Sequence, residues 1–232
     1  MNTFFLDRLN SEPHALAFAG QSTPWPVALA DQSANPALDE ALHTHAAAAQ
    51  ALLYPVSAEL LATTGRPVDL FGFEPNPARL GAAAAASASV PGIALTQLGA
   101  LLDAAALGYN PAQAKPVAVL GHSQGVLAVH MVQAICEAGS IDAAAAKIDE
   151  ILAIATLIGV AGTRQARQLG LAARHGEATP MLSVKDITRA QVDALIKRVS
   201  GARGPIAVAV TNSATHYVLS GYPEDLAAFG VE

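Results

Sequence analysis

A serine set among small residues follows directly on a short, fully apolar run near the middle of the sequence. The run, residues 116–120, reads Pro-Val-Ala-Val-Leu, and the motif Gly121-His-Ser-Gln-Gly125 comes next. A run this short is typical of a buried parallel strand and is too short for a helix. From Gln124 to Ala138 the apolar spacing becomes helical, and Gly139 can end that helix in a left-handed conformation. The sequence therefore predicts a strand, a tight turn that carries Ser123, and a helix.

The spacing of the glycines around Ser123 is that of a nucleophile elbow, G-x-S-x-G. Small residues at Gly121 and Gly125 allow the sharp turn that holds the serine Oγ out at the carboxyl end of a sheet. The helix that follows directs its first N–H groups and its dipole toward the place where a tetrahedral oxyanion forms. The pattern indicates that Ser123 is a nucleophile for acyl groups, and an ordinary tight turn is the alternative.

The first part of the chain, which we place at residues 1–178, carries the elbow and a second predicted strand near its start. The apolar run His14–Ala19 ends at Gly20, and a glycine at such an exit lets the backbone approach a ligand closely. Helical spacing over Asp39–Thr63 predicts one or two helices with a break at Pro55.

Alanine-rich segments predict further packed helices. We expect a helix to begin within Gly81–Ser89, Pro91 to stand at a helix start, and Ile93–Leu107 to bury one stripe. A long amphipathic helix is predicted over Ala143–Ala161 and a separate basic helix over Thr163–Arg174. The glycines at their junction mark either close packing or a helix end.

The second part, residues 179–232, has a different order of predicted strands and helices, and we place the boundary near Thr179-Pro180. The predicted order is βαββα, with strands at 180–184, 206–210 and 216–220 and helices at 188–199 and 223–229. One more strand would complete a split βαβ, ferredoxin-like unit. We therefore expect these residues to be the front of a longer polypeptide.

Charge balance, cysteine count and histidine spacing argue against several classes of function. Thirteen Lys and Arg against nineteen Asp and Glu give a net charge of -6 without a basic cluster, so no nucleic-acid partner is expected. The one cysteine, Cys136, rules out a disulfide framework and a cysteine-built zinc site. His43 and His45 are two apart and not three or four, so no metal is predicted.

Membrane and secretory segments are also not expected. Each apolar run is broken by Pro, Gly or charge before the roughly 18 residues that a membrane span needs. The start of the chain lacks the basic head and the long apolar stretch of a secretory signal. The sequence thus predicts a cytoplasmic protein with no membrane partner.

Four motifs, in chain order, resemble those of the acyltransferase family of fatty acid and polyketide synthases. They are Phe18-Ala-Gly-Gln21, Gly121-His-Ser-Gln-Gly125, Gly159-x-x-Gly162-Thr163, and Thr211-Asn-Ser213 leading to Val218-Leu-Ser-Gly221. The sequence is most similar to the amino-terminal acetyltransferase domain of actinobacterial and fungal type I fatty acid synthases, truncated here. This resemblance implies an α/β fold: an α/β-hydrolase-like large subdomain with a parallel sheet, and a ferredoxin-like small subdomain that is incomplete at the carboxyl end.

The resemblance also implies roles for residues near the elbow. Ser123 would be acylated by acetyl-CoA, and the acetyl group would then be transferred to the phosphopantetheine thiol of an acyl carrier protein. His122 would point away and help to pack the elbow. The oxyanion hole would use the backbone N–H groups of Gln124 and Gln21. The second glycine of the family's Pro-Gly-Gln-Gly is replaced here by Ser22, which puts the loop beside Gln21 in question.

Substrate choice follows from the same resemblance. Malonyl-selective relatives hold the malonyl carboxylate with an arginine just before a glycine, and the matching residue here is Ile158. An isoleucine offers no counter-charge, so an apolar acyl group, acetyl first, is expected. The family's catalytic histidine would lie beyond residue 232, so the isolated fragment is expected to be inactive. No permanently bound cofactor is expected, and the implied setting is a homo-oligomeric multienzyme with other fatty acid synthase domains, which primes fatty acid biosynthesis.

Two other functions remain open from the sequence. A stand-alone serine esterase would use the same elbow and needs an acid and a histidine in the order Ser, Asp or Glu, His. A structural portion of a megasynthase would carry the elbow without turnover. His216, which lies in a predicted strand, is upstream of the place where the family's base belongs.

Overall fold

The computed structural model describes residues 3–20, 24–56, 58, 69–72, 86–168, 181–199 and 205–229. The chain divides into two compact units, residues 1–172 and 173–232. The boundary predicted at Thr179-Pro180 lies outside the described residues, so the division into 1–178 and 179–232 stays a prediction.

The large unit is mostly helical. In chain order its elements are α1 (Thr3–Ser11), β1 (Ala15–Phe18), α2 (Trp25–Ser33), α3 (Pro36–Leu53), α4 (Ala86–Ala106), α5 (Pro111–Ala114), β2 (Ala118–Gly121), α6 (Val126–Ala138) and α7 (Ile141–Gln168). Single 3-10 turns cover Tyr54–Val56 and Ser123–Gly125. The break predicted at Pro55 is confirmed, because α3 ends two residues earlier and a 3-10 turn follows.

The two predicted strands of the large unit are confirmed, and they pair in parallel. Ala15 of β1 is opposite Ala118 of β2, and Phe18 is opposite Gly121. Parallel pairing brings the carboxyl ends of both strands to one edge. Gly20 and Ser123, each two residues past the last pair, therefore emerge side by side.

α4 is the central helix of the large unit and packs against α2, α3, α6 and α7. Every residue from Ser87 to Gly99 is buried, so the prediction of one buried stripe over Ile93–Leu107 is wrong for the part up to Gly99. The prediction that Pro91 starts a helix is also wrong, because Pro91 lies inside α4. Proline removes one helical hydrogen bond there, and burial of the helix on all sides offsets that loss.

By length and composition alone, α4 could cross a membrane. Of its most apolar 18-residue window, 72% is buried inside the unit, as in the core helix of a globular protein. The expectation that every apolar run is broken below that length is wrong for α4, because Pro91 and Gly92 do not interrupt it. Burial against neighbouring helices accounts for its composition.

α7 is one continuous helix where two were predicted. Gly159 lies against α4, since a Cβ built there would collide with the carbonyl oxygen of Ala86. A Cβ on Gly162 would lie 3.1 Å from the Ala86 Cβ, and Thr163 Oγ1 accepts a 2.9 Å hydrogen bond from the Ser87 amide. The glycines therefore permit close helix packing and do not end the helix.

The small unit has the βαββα order that the sequence predicts. Its elements are β3 (Met181–Lys185), α8 (Arg189–Val199), β4 (Ala207–Ser213), β5 (His216–Ser220) and α9 (Pro223–Phe229). β5 is the central strand and pairs antiparallel with both β3 and β4. Val192 of α8, Tyr217 and Leu219 of β5, and Phe229 of α9 are buried in one core.

Candidate active site

Ser123 stands in an uncommon backbone conformation at the turn between β2 and α6. Its φ is 55°, in the left-handed region that non-glycine residues seldom adopt. Such a conformation costs about 1–3 kcal/mol and persists only where neighbouring structure enforces it. Two hydrogen bonds enclose the turn: the His122 amide donates to Phe18 O over 3.0 Å, and the Gly125 amide donates to His122 O over 2.9 Å. The predicted strand, turn and helix around Ser123 are confirmed.

The two glycines of the motif are needed because the turn is closed on itself. A Cβ built on Gly121 would lie 2.5 Å from the carbonyl carbon of Gly125 and 2.6 Å from the Val126 nitrogen. A Cβ built on Gly125 would collide with the carbonyl oxygen of Phe18 on β1. Both positions therefore exclude any side chain, and the elbow is held against the neighbouring strand.

The segment after β1 lies directly against Ser123. A Cβ built on Gly20 would be 2.7 Å from His122 O, 2.9 Å from Ser123 Cβ and 3.5 Å from the Gln124 nitrogen. The absence of a side chain at Gly20 is what allows this approach. Gln21, predicted to share the oxyanion hole, lies outside the described residues, so its role stays a prediction.

Ser123 is exposed, and Gln124 beside it is half-buried. Within the described residues, the backbone N–H of Gln124 and the Ser123 hydroxyl make no hydrogen bond. An N–H that has no acceptor among the described residues, next to an exposed serine hydroxyl and just before a helix, is suited to receive a developing oxyanion. The turn can therefore accept an acyl group from solution, given a base for the serine proton.

His122 contributes to the elbow through its backbone, which bonds to both Phe18 and Gly125. Ile158, predicted to select the acyl group, lies on α7 with 52% of its surface exposed and is not a core residue. In the described part of the chain, no histidine hydrogen-bonds to Ser123. His216 instead lies on β5, with its Nε2 3.0 Å from Ser183 Oγ.

The structure also bears on metal ligands and on a second thiol or hydroxyl nucleophile. Over the ranges that the structure describes, no group of three or more His, Cys, Asp or Glu could hold a metal ion. The pKa of the Cys136 thiol is raised by partial desolvation and by the nearby Glu137 carboxylate. Cys136 is therefore protonated at neutral pH and is a weak nucleophile.

One residue at this site was missed by the sequence reasoning. Gln97 of α4 donates from Nε2 to the carbonyl oxygen of Ala19 over 2.5 Å, immediately before Gly20. The signal that could have found it is a glutamine in an otherwise apolar helix. Nothing in the local sequence tells which carbonyl its amide binds.

The strain at Ser123 gives a stability prediction. Ser123→Gly and Ser123→Ala both remove the hydroxyl, but only glycine relieves the positive φ. We expect the free energy of unfolding of the Ser123→Gly variant to be about 1 kcal/mol higher than that of the Ser123→Ala variant, as measured by urea denaturation. Equal stability of the two variants would show that the serine is not held in the left-handed region.

A strained, exposed serine at the carboxyl edge of a parallel strand pair, followed by a helix, is an arrangement typical of serine hydrolases and acyltransferases. Residues 74–230 match the family model described as "SAT: Starter unit:ACP transacylase in aflatoxin biosynthesis". The chain belongs to this family of acyl-carrier-protein transacylases.

Solved structures of low identity are also similar to the chain. One is the malonyl-CoA:ACP transacylase of Synechocystis sp. PCC 6803, with 16% identity, a TM-score of 0.47, and coverage of 95% of this chain and 58% of that one. Another is the acyl-carrier-protein S-malonyltransferase of Bartonella henselae, with 19% identity, a TM-score of 0.46, and coverage of 94% and 58%. The chain thus spans 58% of the length of each. No curated protein matches the sequence.

Proposed function

We propose that this chain transfers an acetyl group from acetyl-CoA to the phosphopantetheine thiol of an acyl carrier protein, through an ester on Ser123. The observation that carries the proposal is the exposed Ser123 at φ 55°, enclosed by the Gly20 backbone and the start of α6. Membership of the transacylase family supports carrier protein and acyl-CoA as the two partners. The esterase alternative shares the elbow, but the family match favours transfer to a thiol.

The proposed reaction has two half-reactions. Ser123 Oγ attacks the thioester carbonyl carbon while its proton passes to a general base, and the carbonyl oxygen becomes an oxyanion. Collapse of this intermediate breaks the C–S bond, and the CoA sulfur leaves with the proton from the base. The carrier thiol then attacks the acetyl ester, gives its proton to the base, and Ser123 recovers a proton as it departs. The sequence of events is ping-pong.

The oxyanion is proposed to meet the backbone N–H groups of Gln124 and Gln21. Fixed donors of this kind each commonly lower a barrier by about 3 kcal/mol, because they need no reorientation as charge develops. The Gln124 N–H supports this role, since it lies beside Ser123 and makes no hydrogen bond within the described residues. The general base is proposed to be a histidine, the residue that most often serves this step.

The proposed setting is a type I fatty acid synthase, in which the chain primes fatty acid biosynthesis. There it would be an α/β-hydrolase-like subdomain with a ferredoxin-like companion, and other synthase domains in a homo-oligomeric, cytoplasmic multienzyme would be its neighbours. The βαββα order of the small unit, with its central β5, supports the ferredoxin-like interpretation. No resident cofactor is part of the proposal.

A loading assay tests the function. The purified chain is incubated with acetyl-CoA or malonyl-CoA in the presence of imidazole as an external base, and the acylated residue is located by mass spectrometry. We expect acetyl on Ser123 and its transfer to added carrier protein. Cys136 is expected to stay unlabelled, because its raised pKa keeps the thiol protonated. Rapid loss of the label to water without transfer would favour the esterase, and no label on Ser123 would refute the proposal.

Acyl selectivity is tested at Ile158. We expect Ile158→Arg to raise the ratio of malonyl to acetyl loading by about tenfold, because a guanidinium can pair with the malonyl carboxylate. Ile154→Arg is the matched control, since Ile154 lies one turn earlier on α7 and is 50% exposed, against 52% for Ile158. An equal change in both variants, or none in Ile158→Arg, would remove the assignment of Ile158.

A further inference from the structure

We propose that Gln97 is a positioning residue of the acyl-transfer site, acting through Ala19. This inference rests on the proposed function, because it assigns a residue to that reaction. Gln97 lies on the buried central helix α4, far from the elbow in sequence, and is 8% exposed. Its Nε2 donates to the carbonyl oxygen of Ala19 over 2.5 Å. Through that bond, Gln97 fixes the backbone that lies against Ser123.

The end of β1 is held at two successive carbonyl groups. The Phe18 oxygen accepts from the His122 amide over 3.0 Å, which ties it to the elbow. The Ala19 oxygen accepts from Gln97, which ties it to α4. Ala19 also lies close to the elbow, since a Cβ on Gly125 would be 3.0 Å from its oxygen. The two bonds together set the direction in which the chain leaves the strand.

The direction of the Ala19 carbonyl matters for the site because the peptide group is planar. Fixing the oxygen fixes the plane of the Ala19–Gly20 peptide, and with it the position of the Gly20 Cα. Gly20 is the residue whose missing side chain leaves room for Ser123, at a would-be Cβ distance of 2.9 Å. A rotated peptide would therefore move the backbone that lies against Ser123. Even a small displacement of that backbone lowers the reaction rate when the catalytic groups themselves are intact.

The other atom of the Gln97 amide does not explain why a glutamine stands here. Oε1 is buried and makes no hydrogen bond with any described residue. An apolar side chain of similar volume, such as methionine, would avoid the cost of burying that oxygen. The bond from Nε2 to Ala19 is thus what the amide contributes.

Gln32 of α2 provides a matched control. Its Nε2 donates to the Thr96 carbonyl oxygen over 2.9 Å, and its Oε1 is also buried without a partner among the described residues. Gln32 joins α2 to α4 and makes none of these contacts to the elbow or the β1 exit. Gln97→Met and Gln32→Met therefore remove the same kind of bond, and only the first removes it at the site.

The test compares these variants in the loading assay with acetyl-CoA and imidazole. We expect both to lower Tm by a similar amount, about 2–4 °C. We expect Gln97→Met to reduce the maximal rate of Ser123 acetylation by about tenfold or more with little change in KM, and Gln32→Met to leave it within about twofold. Equal rates for the two variants would overturn the proposal.

Gln97→Glu adds a pH-dependent measurement whose result would not change if Gln97 served only in packing. A protonated carboxyl can donate to the Ala19 oxygen, whereas a carboxylate can only accept. The rate of Gln97→Glu relative to wild type should therefore rise as pH falls, and Gln97→Met should show no such recovery. A pH-independent ratio for Gln97→Glu would contradict a role for the donated hydrogen bond.

Amide hydrogen exchange separates this proposal from the proposed function, because it needs no acyl donor. In Gln97→Met, exchange in the peptide that covers the β1 exit should be faster than in Gln32→Met. If wild type fails to load acetyl but this difference appears, the proposed function is wrong and the positioning of the β1 exit by Gln97 stands. If wild type loads acetyl and exchange is the same in both variants, the positioning role is wrong.

Discussion

Ser123→Ala should abolish the acyl-enzyme. Loss of a nucleophile that works with a base commonly costs about 10⁴–10⁶-fold in rate, and we expect at least the lower figure here. The measurement is intact-mass detection of acetyl after incubation with acetyl-CoA and imidazole. Since Ser123 is exposed and its hydroxyl makes no hydrogen bond within the described residues, removal of the hydroxyl should leave the fold unchanged by circular dichroism.

Ser183→Ala is the control for this result. Ser183 is also exposed, and its Oγ lies 3.0 Å from His216 Nε2, so it has the imidazole neighbour that Ser123 lacks among the described residues. Ser183 stands on a regular strand without a positive φ. We expect Ser183→Ala to label normally. Loss of labelling in Ser183→Ala, with Ser123→Ala unaffected, would place the chemistry in the small unit and contradict the elbow assignment.

Gly125→Ala should disrupt both the fold and the site. The added methyl group would collide with the Phe18 carbonyl oxygen and lie 3.0 Å from that of Ala19, and backbone atoms cannot move aside as a flexible side chain can. Overpacking of this kind costs about 1–3 kcal/mol, and we expect the upper end because the elbow must move away from the end of β1. Acetyl loading of Ser123 should fall with it. Thermal unfolding and the loading assay measure the two effects.

Gly108→Ala is the matched comparison. Gly108 has φ 93°, and a Cβ built there meets nothing within 4 Å, so the substitution adds backbone strain without a collision. We expect a loss of about 1 kcal/mol in free energy of unfolding and normal acetyl loading. If Gly108→Ala were as destabilised as Gly125→Ala, the close contact between the elbow and β1 would not be the cause.

The parts of the fold that follow from local sequence were predictable. The elbow could be found because an apolar run, two glycines and a helical pattern follow one another without a gap in residues 116–138. The βαββα order of the small unit could be found for the same reason, and β5 and α9 have the predicted bounds. In each case the signal and the structure lie within one short segment.

The parts that depend on distant contacts were not predictable. The local sequence predicts a helix start at Pro91, yet packing on all sides of α4 keeps Pro91 inside the helix. Gly159 reads equally as a helix end or a contact, and only the approach of Ala86 decides between them. Gln97 could not be assigned because its acceptor, Ala19, is brought to it by the fold of the large unit. Tertiary packing overrides local preference in all three cases.

The register of β1 and β2 has a consequence for the order of events during folding. Phe18 faces Gly121 across the pair, so the elbow and the strand that supports it come from opposite ends of a long stretch of chain. Contacts between such distant segments form late, because the intervening loop must first lose its entropy. The strained turn at Ser123 is therefore expected to form only after β1 and β2 have paired, late in the folding of the large unit.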